Sequence, residues 1–362
     1  MKICFLGNAQ NPHIISWMNY FSSNDYEVHI ISDINNTLNK IKVHYIHEPK
    51  LIFIPIIYTI IQIWYKVFKI RRILKIIKPD ILHAHWATNY GFLAALSGFH
   101  PYVLTSHGSD ILIDPNKSLI SKCFVKYALR KADLINSVAD HVTKSIFKLN
   151  VRNNKIVTFQ YGIDTSVFNS AGFNNNGESN IKIISVRDLE WRYNVDMLIK
   201  AIPIILIENS NSEFLILGDG PQKNGLINLT RQLSINKHVK FLGLVKHNKI
   251  SEYYRISDIY VSTSLTDGSS IALVEALACG LFPIVTDIPA NREWIIDGKN
   301  GFLVSSNSHE ELAKKTIIAI NDVSFRKSAY IINQNIIYDR ARRSKNMKIM
   351  ETCYNQLVNI KT

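Results

Sequence analysis

Nine consecutive positions, Asp267 to Glu275, carry the most chemistry in this chain. They lie in the stretch 264–286, SLTDGSSIALVEALACGLFPIVT. Asp267-Gly268-Ser269-Ser270 is a polar turn whose glycine and small hydroxyl residues suit a tight turn feeding a helix N-terminus. Residues 271–278 read as a short apolar helix with one acid, Glu275. Gly280 supplies its stop, and residues 282–285 form an apolar run consistent with a buried strand. The backbone amides around Ser269, Ser270, Ile271 and Ala272 would then open a helix, where orphan N–H groups and the dipole both favour a phosphate. A carboxylate one turn further in would repel that phosphate, so Glu275 is better suited to accepting hydrogen bonds from hydroxyls such as a ribose offers. Spacing alone equally admits the plain loop and helix of any α/β protein.

Such a turn has to be held by a sheet. Residues 3–6 and 28–31 read as strands alternating with a helix around 14–21, the start of a βαβ series. Further strands are expected at 102–105, 134–137, 156–159, 181–186, 214–217, 239–242 and 258–263, the last delivering the Asp267 turn. The first turn, Gly7-Asn8-Ala9-Gln10-Asn11, has one glycine and lacks the G-x-G-x-x-G pattern, so no dinucleotide cofactor is expected there. His13 opens the helix that follows. The polar run 174–180 is the linker candidate.

Residues 51–65 contain no charge but fall short of the ~20 residues a membrane span needs. Lys66, Lys69, Arg71, Arg72, Lys75 and Lys78 follow, while Ile52, Ile56, Ile60, Ile63, Val67, Ile70, Leu74 and Ile77 keep helical spacing. This predicts a long helix packed on its own domain with a solvated basic face. Tyr58, Trp64, Tyr65 and the cations would form an interfacial belt against an anionic membrane.

At 362 residues the chain exceeds a comfortable single core, so two domains are expected. A content of 47% hydrophobic and 20% charged residues is that of a globular protein. The four cysteines stand far apart with no CxxC pair, which argues against zinc and disulfides and fits a reducing cytosol. The N-terminal MKICFLGNAQ reads as a first strand rather than a signal peptide. Net charge is +13, with 19 Lys and Arg against 10 Asp and Glu in residues 1–170. Helix-turn-helix, zinc-finger and RNA-binding signatures are absent from the sequence, so a membrane surface fits this excess better than nucleic acid.

Asp267, seven residues, Glu275, then Ala276-Leu277-Ala278-Cys279-Gly280 and Pro283 resembles the signature of retaining nucleotide-sugar glycosyltransferases of the GT-B fold. This is the group 1, family-4-like set with an acid-x7-Glu motif. The first acid is Asp where most members have Glu, and Pro283 falls one place late. Pro79-Asp80-x-x-His83-x-His85 and Thr105-x-His107-Gly108-Ser109-Asp110 resemble two more segments of that family. Gln160-Tyr161-Gly162-Ile163-Asp164 stands where Pro-Asn-Gly-Val-Asp is usual, and Arg187-Asp188-Leu189 where Gly-Arg-Leu is usual. The family's lysine six residues after that arginine is Tyr193 here, preceded by Arg192. Residues 293–304 resemble the segment that follows the signature.

The resemblance implies two Rossmann-like α/β domains facing a central cleft. They would span residues 1–172 for the acceptor and 173–338 for the nucleotide sugar, with 339–362 a last helix crossing back to the first domain. Two helical stretches would end the chain. It implies His107, Asp267 and Arg187 as catalytic residues, His107 against the donor sugar and Arg187 on its diphosphate. Donor binding would fall to Arg187, Arg192, Gly218, Gly220, Ser269, Ser270, Ile271, Ala272 and Glu275, with Asn8, His13 and His85 on the acceptor side. A fixed cation and a helix N-terminus can stabilise a leaving diphosphate without metal, and no Asp-x-Asp occurs in the sequence. No cofactor is implied. The expected activity is retaining hexosyl transfer to a glycan or polyprenyl-diphosphate-linked acceptor, by an enzyme peripheral on the cytoplasmic membrane face. A nucleotide-sugar epimerase or phosphorylase shares the fold, and a non-catalytic glycan- or membrane-binding scaffold is the rival from another class.

Overall fold

The computed structural model describes residues 1–47, 55–151, 156–173 and 180–359. The linker candidate at 174–179 and the start of the uncharged run at 51–54 lie outside them. The chain divides into two compact units, residues 1–161 with 347–362, and residues 162–346.

The first unit is a seven-stranded sheet of β1 (Lys2–Leu6), β2 (Glu27–Ser32), β3 (Lys42–Tyr45), β4 (Ile81–His85), β5 (Tyr102–Ser106), β6 (Leu134–Ser137) and β7 (Ile156–Thr158). All its pairings are parallel, in the order β3-β2-β1-β4-β5-β6-β7. Strands buried on both faces explain why β1 reads as a continuous apolar run rather than an alternating one. The second unit repeats the plan in six parallel strands: β8 (Lys182–Val186), β9 (Glu213–Leu217), β10 (Val239–Gly243), β11 (Ile259–Ser262), β12 (Phe282–Thr286) and β13 (Phe302–Val304). Their order is β10-β9-β8-β11-β12-β13. Consecutive residues serve opposite faces, so Ile183 joins one core with Ile216, Val261 and Ile199, while Ile184 joins the other with Leu217, Tyr260 and Leu277.

Both sheets reverse direction beside their first strand, between β1 and β4 and between β8 and β11. In doubly wound sheets the ligand crevice lies outside the carboxyl ends of the strands at that switch point. The sequence therefore has to deliver its chemistry at four strand ends, near residues 7, 86, 187 and 263.

The long helix runs Pro55–Ile77. Val67, Ile70, Leu74 and Ile77 are buried in the first unit's core, as the spacing predicts, with Ile63 partly buried. Ile60 departs from the expected stripe and is 52% exposed, alongside Trp64, Phe68 and Ile76. Lys66 departs too: its ammonium is tucked 3.3 Å from Asp33 rather than lying on the solvated face. Tyr65 packs partly into the core with Lys69 over its ring, so it serves packing as well as any belt. Among the described residues no helix is long and apolar enough to cross a membrane.

Among the described residues three helices follow β13 rather than two: His309–Asn321, Val323–Ile336 and Arg343–Asn359. Tyr354 on the last packs in the first unit, its ring against Phe21 and its hydroxyl on His83 Nδ1 at 2.5 Å. His83 Nε2 meets Thr105 Oγ1 at 2.7 Å, and the Thr105 hydroxyl donates to Asn136 Oδ1 at 3.2 Å. With the Thr105 hydroxyl already donating to Asn136, His83 Nε2 carries a proton and Thr105 accepts it; in the neutral ring Nδ1 is then bare, and Tyr354 donates to it. Burial agrees, pushing the His83 pKa down to about 3.

Candidate functional site

In the second unit the site grows from the ends of β8 and β11. Arg187 follows β8 directly, and its largely buried guanidinium is held on three sides. Nη1 lies 3.0 Å from Asp267 Oδ2, Nε donates to Ser262 Oγ at 3.1 Å, and Nη2 donates to Ser270 Oγ. Arginine's planar fork makes this possible where a lysine point charge would not. Ser262 ends β11, and Ser270 is the residue before the helix Ile271–Ala278. One side chain thus ties together both strand ends at the switch point and the helix start.

Tyr193, where the family's lysine was expected, is a platform for cations. The Arg187 guanidinium lies 5.5 Å and that of Arg192 4.8 Å from its ring centre. Arg192 Nε also sits 2.9 Å from Glu190 Oε2. The short turn Trp191–Tyr193 is pinned to the β11 end, because Thr263 Oγ1 donates to Tyr193 O and Leu265 N to Arg192 O. Two guanidinium groups on one ring keep positive charge here without the lysine.

Gly218 and Gly220 prove to have a local reason. Gly218 has φ +137°, and a Cβ there would fall 1.9 Å from Arg187 O. The close approach these glycines permit is to the backbone of the 187–189 loop, which they hold in place beneath Arg187. The helix start is also less open than its sequence suggests, since the Ile271 N–H donates to Ser269 O at 2.9 Å. Glu275 is buried one turn into the helix, and its Oε1 receives His247 Nε2 at 2.7 Å.

In the first unit the ends of β1, β4 and β5 bring three histidines together. His85 Nδ1 and His107 Nε2 share a hydrogen bond of 2.9 Å, and the His13 ring centre is 5.8 Å from that of His107. Burial holds His85 and His107 well below the ordinary histidine pKa, with His83 and His13 opposing charge on His85, and His85 and His13 opposing it on His107, so both are neutral. His13 is presented by a well-made helix start: the Asn11 side chain accepts from its N–H and Pro12 precedes it. Its Nδ1 meets Tyr161 Oη at 2.8 Å. Gly7 leaves room for this, since a Cβ there would run into Ile14 at 2.3 Å. Asn8 does not join the histidines in a hydrogen bond; its side-chain oxygen closes the turn by accepting from Gln10 N–H.

Three residues here are given no role by the sequence reading. Trp86 stacks on His107 with ring centres 4.0 Å apart, from a backbone at φ +63° that a bulky residue rarely adopts. Asp110 is buried and accepts from the N–H groups of Ala87, His107 and Gly108, fastening the β4 loop to the β5 loop. Burial raises its pKa to about 6 against those bonds. Tyr161 stands where asparagine was expected. Position just past a strand end was a usable signal for Trp86; His247, 28 residues before Glu275, had none.

The family model described as glycosyl transferases group 1 matches residues 169–335, and that described as glycosyl transferase 4-like matches residues 2–139. The chain belongs to the group 1 glycosyltransferases. An uncharacterized glycosyltransferase of Methanocaldococcus jannaschii is 29% identical over 252 residues, covering 69% of this chain and 68% of that protein. The N-acetyl-alpha-D-glucosaminyl L-malate synthase of Bacillus anthracis is 25% identical over 289 residues, covering 76% and 74%. Among solved structures, sucrose-phosphate synthase from Thermosynechococcus elongatus superposes with a TM-score of 0.83 at 13% identity, covering 99% of this chain and 100% of that one. Anabaena HepE, solved with UDP-glucose, gives 0.81 at 18% identity, covering 98% and 100%. At that identity the likeness is one of fold, and the fold of this glycosyltransferase is GT-B.

Proposed function

We propose that this glycosyltransferase moves a hexose or N-acetylhexosamine-type sugar, with retention, from a nucleotide diphosphate sugar to a lipid-linked or growing polysaccharide acceptor. The setting is bacterial surface glycan synthesis of the O-antigen, lipopolysaccharide or capsule type. A UDP-sugar is the favoured donor and a GDP-sugar the second choice; HepE, of the same fold, has been solved with UDP-glucose. One observation carries the reading: Arg187 fixed at the switch point between Asp267 and the helix start at Ser270, with buried Glu275 one turn along.

In this reading Arg187 and Arg192, gathered on Tyr193, take the diphosphate together with the amides near Ser269, Ser270 and Ala272. Their charge stabilises the leaving group where it develops, with no metal ion needed. Gly218 and Gly220 contribute through the loop they hold. Glu275 takes the ribose hydroxyls, Asp267 the sugar hydroxyls, and neutral His107 the sugar near the reacting carbon. The leaving phosphate accepts the acceptor's proton. Asn8, His13 and His85 line the acceptor side, and residues 51–78 hold the enzyme peripherally on the anionic cytoplasmic face of the membrane. Exposed Ile60, Trp64, Phe68 and Ile76 beside Lys69, Arg72 and Lys75 support that placement.

Nucleotide release from a panel of UDP- and GDP-sugars, with and without lipid-linked acceptors, tests the reading. Release that depends on acceptor and survives chelation is expected. Release of no nucleotide from any donor, or a strict need for manganese or magnesium, refutes it.

A further inference from the structure

The geometry points to His247 as a positioning residue that orients Glu275 for the donor's ribose hydroxyls and makes donor affinity depend on pH. The inference rests on the assignment of Glu275 to the ribose. His247 opens the helix His247–Arg255, and its Nε2 lies 2.7 Å from Glu275 Oε1. Glu275 is 3% exposed, whereas the His247 side chain is 47% exposed. A buried carboxylate on a rigid helix thus has one oxygen fixed by a partner that protons reach from solvent. That partner leaves the second oxygen to accept from hydroxyls.

The surroundings hold His247 in place. Its ring lies against Phe168, with centres 5.2 Å apart. Glu275 faces it from the helix Ile271–Ala278, and Arg343 opposes its charge from the start of the last helix while pairing with Asp164 at 4.0 Å. On its own helix Lys249 and Glu252 pair with each other at 2.7 Å. The hydrogen bond to Glu275 raises the His247 pKa above the ordinary value, against burial and Arg343. His247 therefore keeps its charge to higher pH than an ordinary histidine and loses it as pH rises further. A neutral ring still donates through Nε2–H, but to a carboxylate it no longer neutralises.

The test measures equilibrium binding of UDP-glucose and GDP-mannose, neither of which titrates near neutrality, without acceptor from pH 6 to 9. Wild type, His247→Ala, His247→Gln and Glu275→Ala are compared. A lost hydrogen bond to a charged group corresponds to about tenfold in affinity, so His247→Ala should weaken binding by about that factor at pH 6.5. Wild-type affinity should fall as pH rises through the His247 transition. Glutamine, which keeps a donor but no charge, should restore most of the loss and give a flat profile. At fixed pH 8 the effect of His247→Ala should vanish for the 2′,3′-dideoxy nucleoside diphosphate while persisting for its ribose counterpart. A flat wild-type profile, or equal loss for both nucleotides, overturns the role of His247. If Glu275→Ala weakens binding and His247→Ala does not, only this inference falls. If wild type binds neither nucleotide sugar, the donor reading falls and the inference with it.

Discussion

Replacing Asp267 by asparagine should tighten the binding of a nucleoside diphosphate while slowing sugar transfer. On the proposed reading, Asp267 and a donor diphosphate compete for Arg187, whose Nη1 sits 3.0 Å from Asp267 Oδ2. Side-chain exposures of 10% for Arg187 and 17% for Asp267 leave little solvent screening. At an effective dielectric of about 20 the gross attraction at that distance is about 5 kcal/mol, most of it offset by desolvation of the two ions. Asparagine keeps the size and a weaker acceptor but removes the charge. A diphosphate then displaces less, and its affinity should rise by about 1 kcal/mol, roughly fivefold. Arg187 loses its counter-ion in the same variant, so unfolding free energy should fall by about 1–3 kcal/mol. Turnover should drop because the acceptor proposed for the sugar hydroxyls is weaker without its charge. Titration calorimetry with UDP and GDP, urea unfolding and steady-state kinetics read these three outcomes. Weaker or unchanged diphosphate binding by a folded Asp267→Asn protein would refute the competition. Arg187→Ala is the opposing control: it should lose diphosphate binding and, by leaving Asp267 uncompensated, about 3–5 kcal/mol of stability.

His107→Ala should lower kcat and kcat/KM together while nucleoside diphosphate still binds, whereas Glu275→Ala should act mainly through the donor KM; loss of nucleotide binding only in the His107 variant would reverse the assignments. Reversing Lys69, Arg72 and Lys75 to glutamate should shift the enzyme from anionic liposomes to solution in flotation assays, each cation contributing about 1 kcal/mol at low salt; equal binding of wild type to neutral liposomes counts against it. Stability should fall in acid. The His83 pKa, near 6.5 in the unfolded chain, is about 3 in the fold, so the unfolded state takes up the proton first as pH drops below 6.5. This group alone costs about 1.4 kcal/mol per pH unit between those values, read from urea midpoints. Tyr354→Phe leaves His83 Nδ1 without its donor and should cost about 1–3 kcal/mol at neutral pH.

The sequence by itself located most of the elements and the stretch that carries the family signature. Apolar runs at strand length alternate with helical spacing, so the strands around residues 3, 102, 183 and 259 could be read from periodicity. The helix Ile271–Ala278 falls where Ser270 and Gly280 bound it. The Asp267 and Glu275 spacing marked the family because both acids lie on one local segment, where spacing along the chain fixes spacing in space. Strand β3 escaped because its side chains stay partly exposed and meet β2 through polar groups, Lys42 on Glu27 and His44 on His29, leaving no apolar signal.

Only the tertiary structure decided who meets whom. Arg187 is 80 residues from Asp267 in sequence yet 3.0 Å away, because the crossover from β8 to β11 places two strand ends side by side. The same holds for His247 with Glu275, His83 with Tyr354, and Trp86 with His107. Composition could count the cations between 66 and 78, but packing decided that Lys66 turns to Asp33 while Ile60 faces solvent. Gly218 reads as an open turn until β8 and β9 are paired, when it becomes the one residue type that clears the carbonyl of Arg187. A local pattern fixes backbone conformation over a few residues; which side chains share a site is fixed by sheet order, and sheet order is a property of the whole chain.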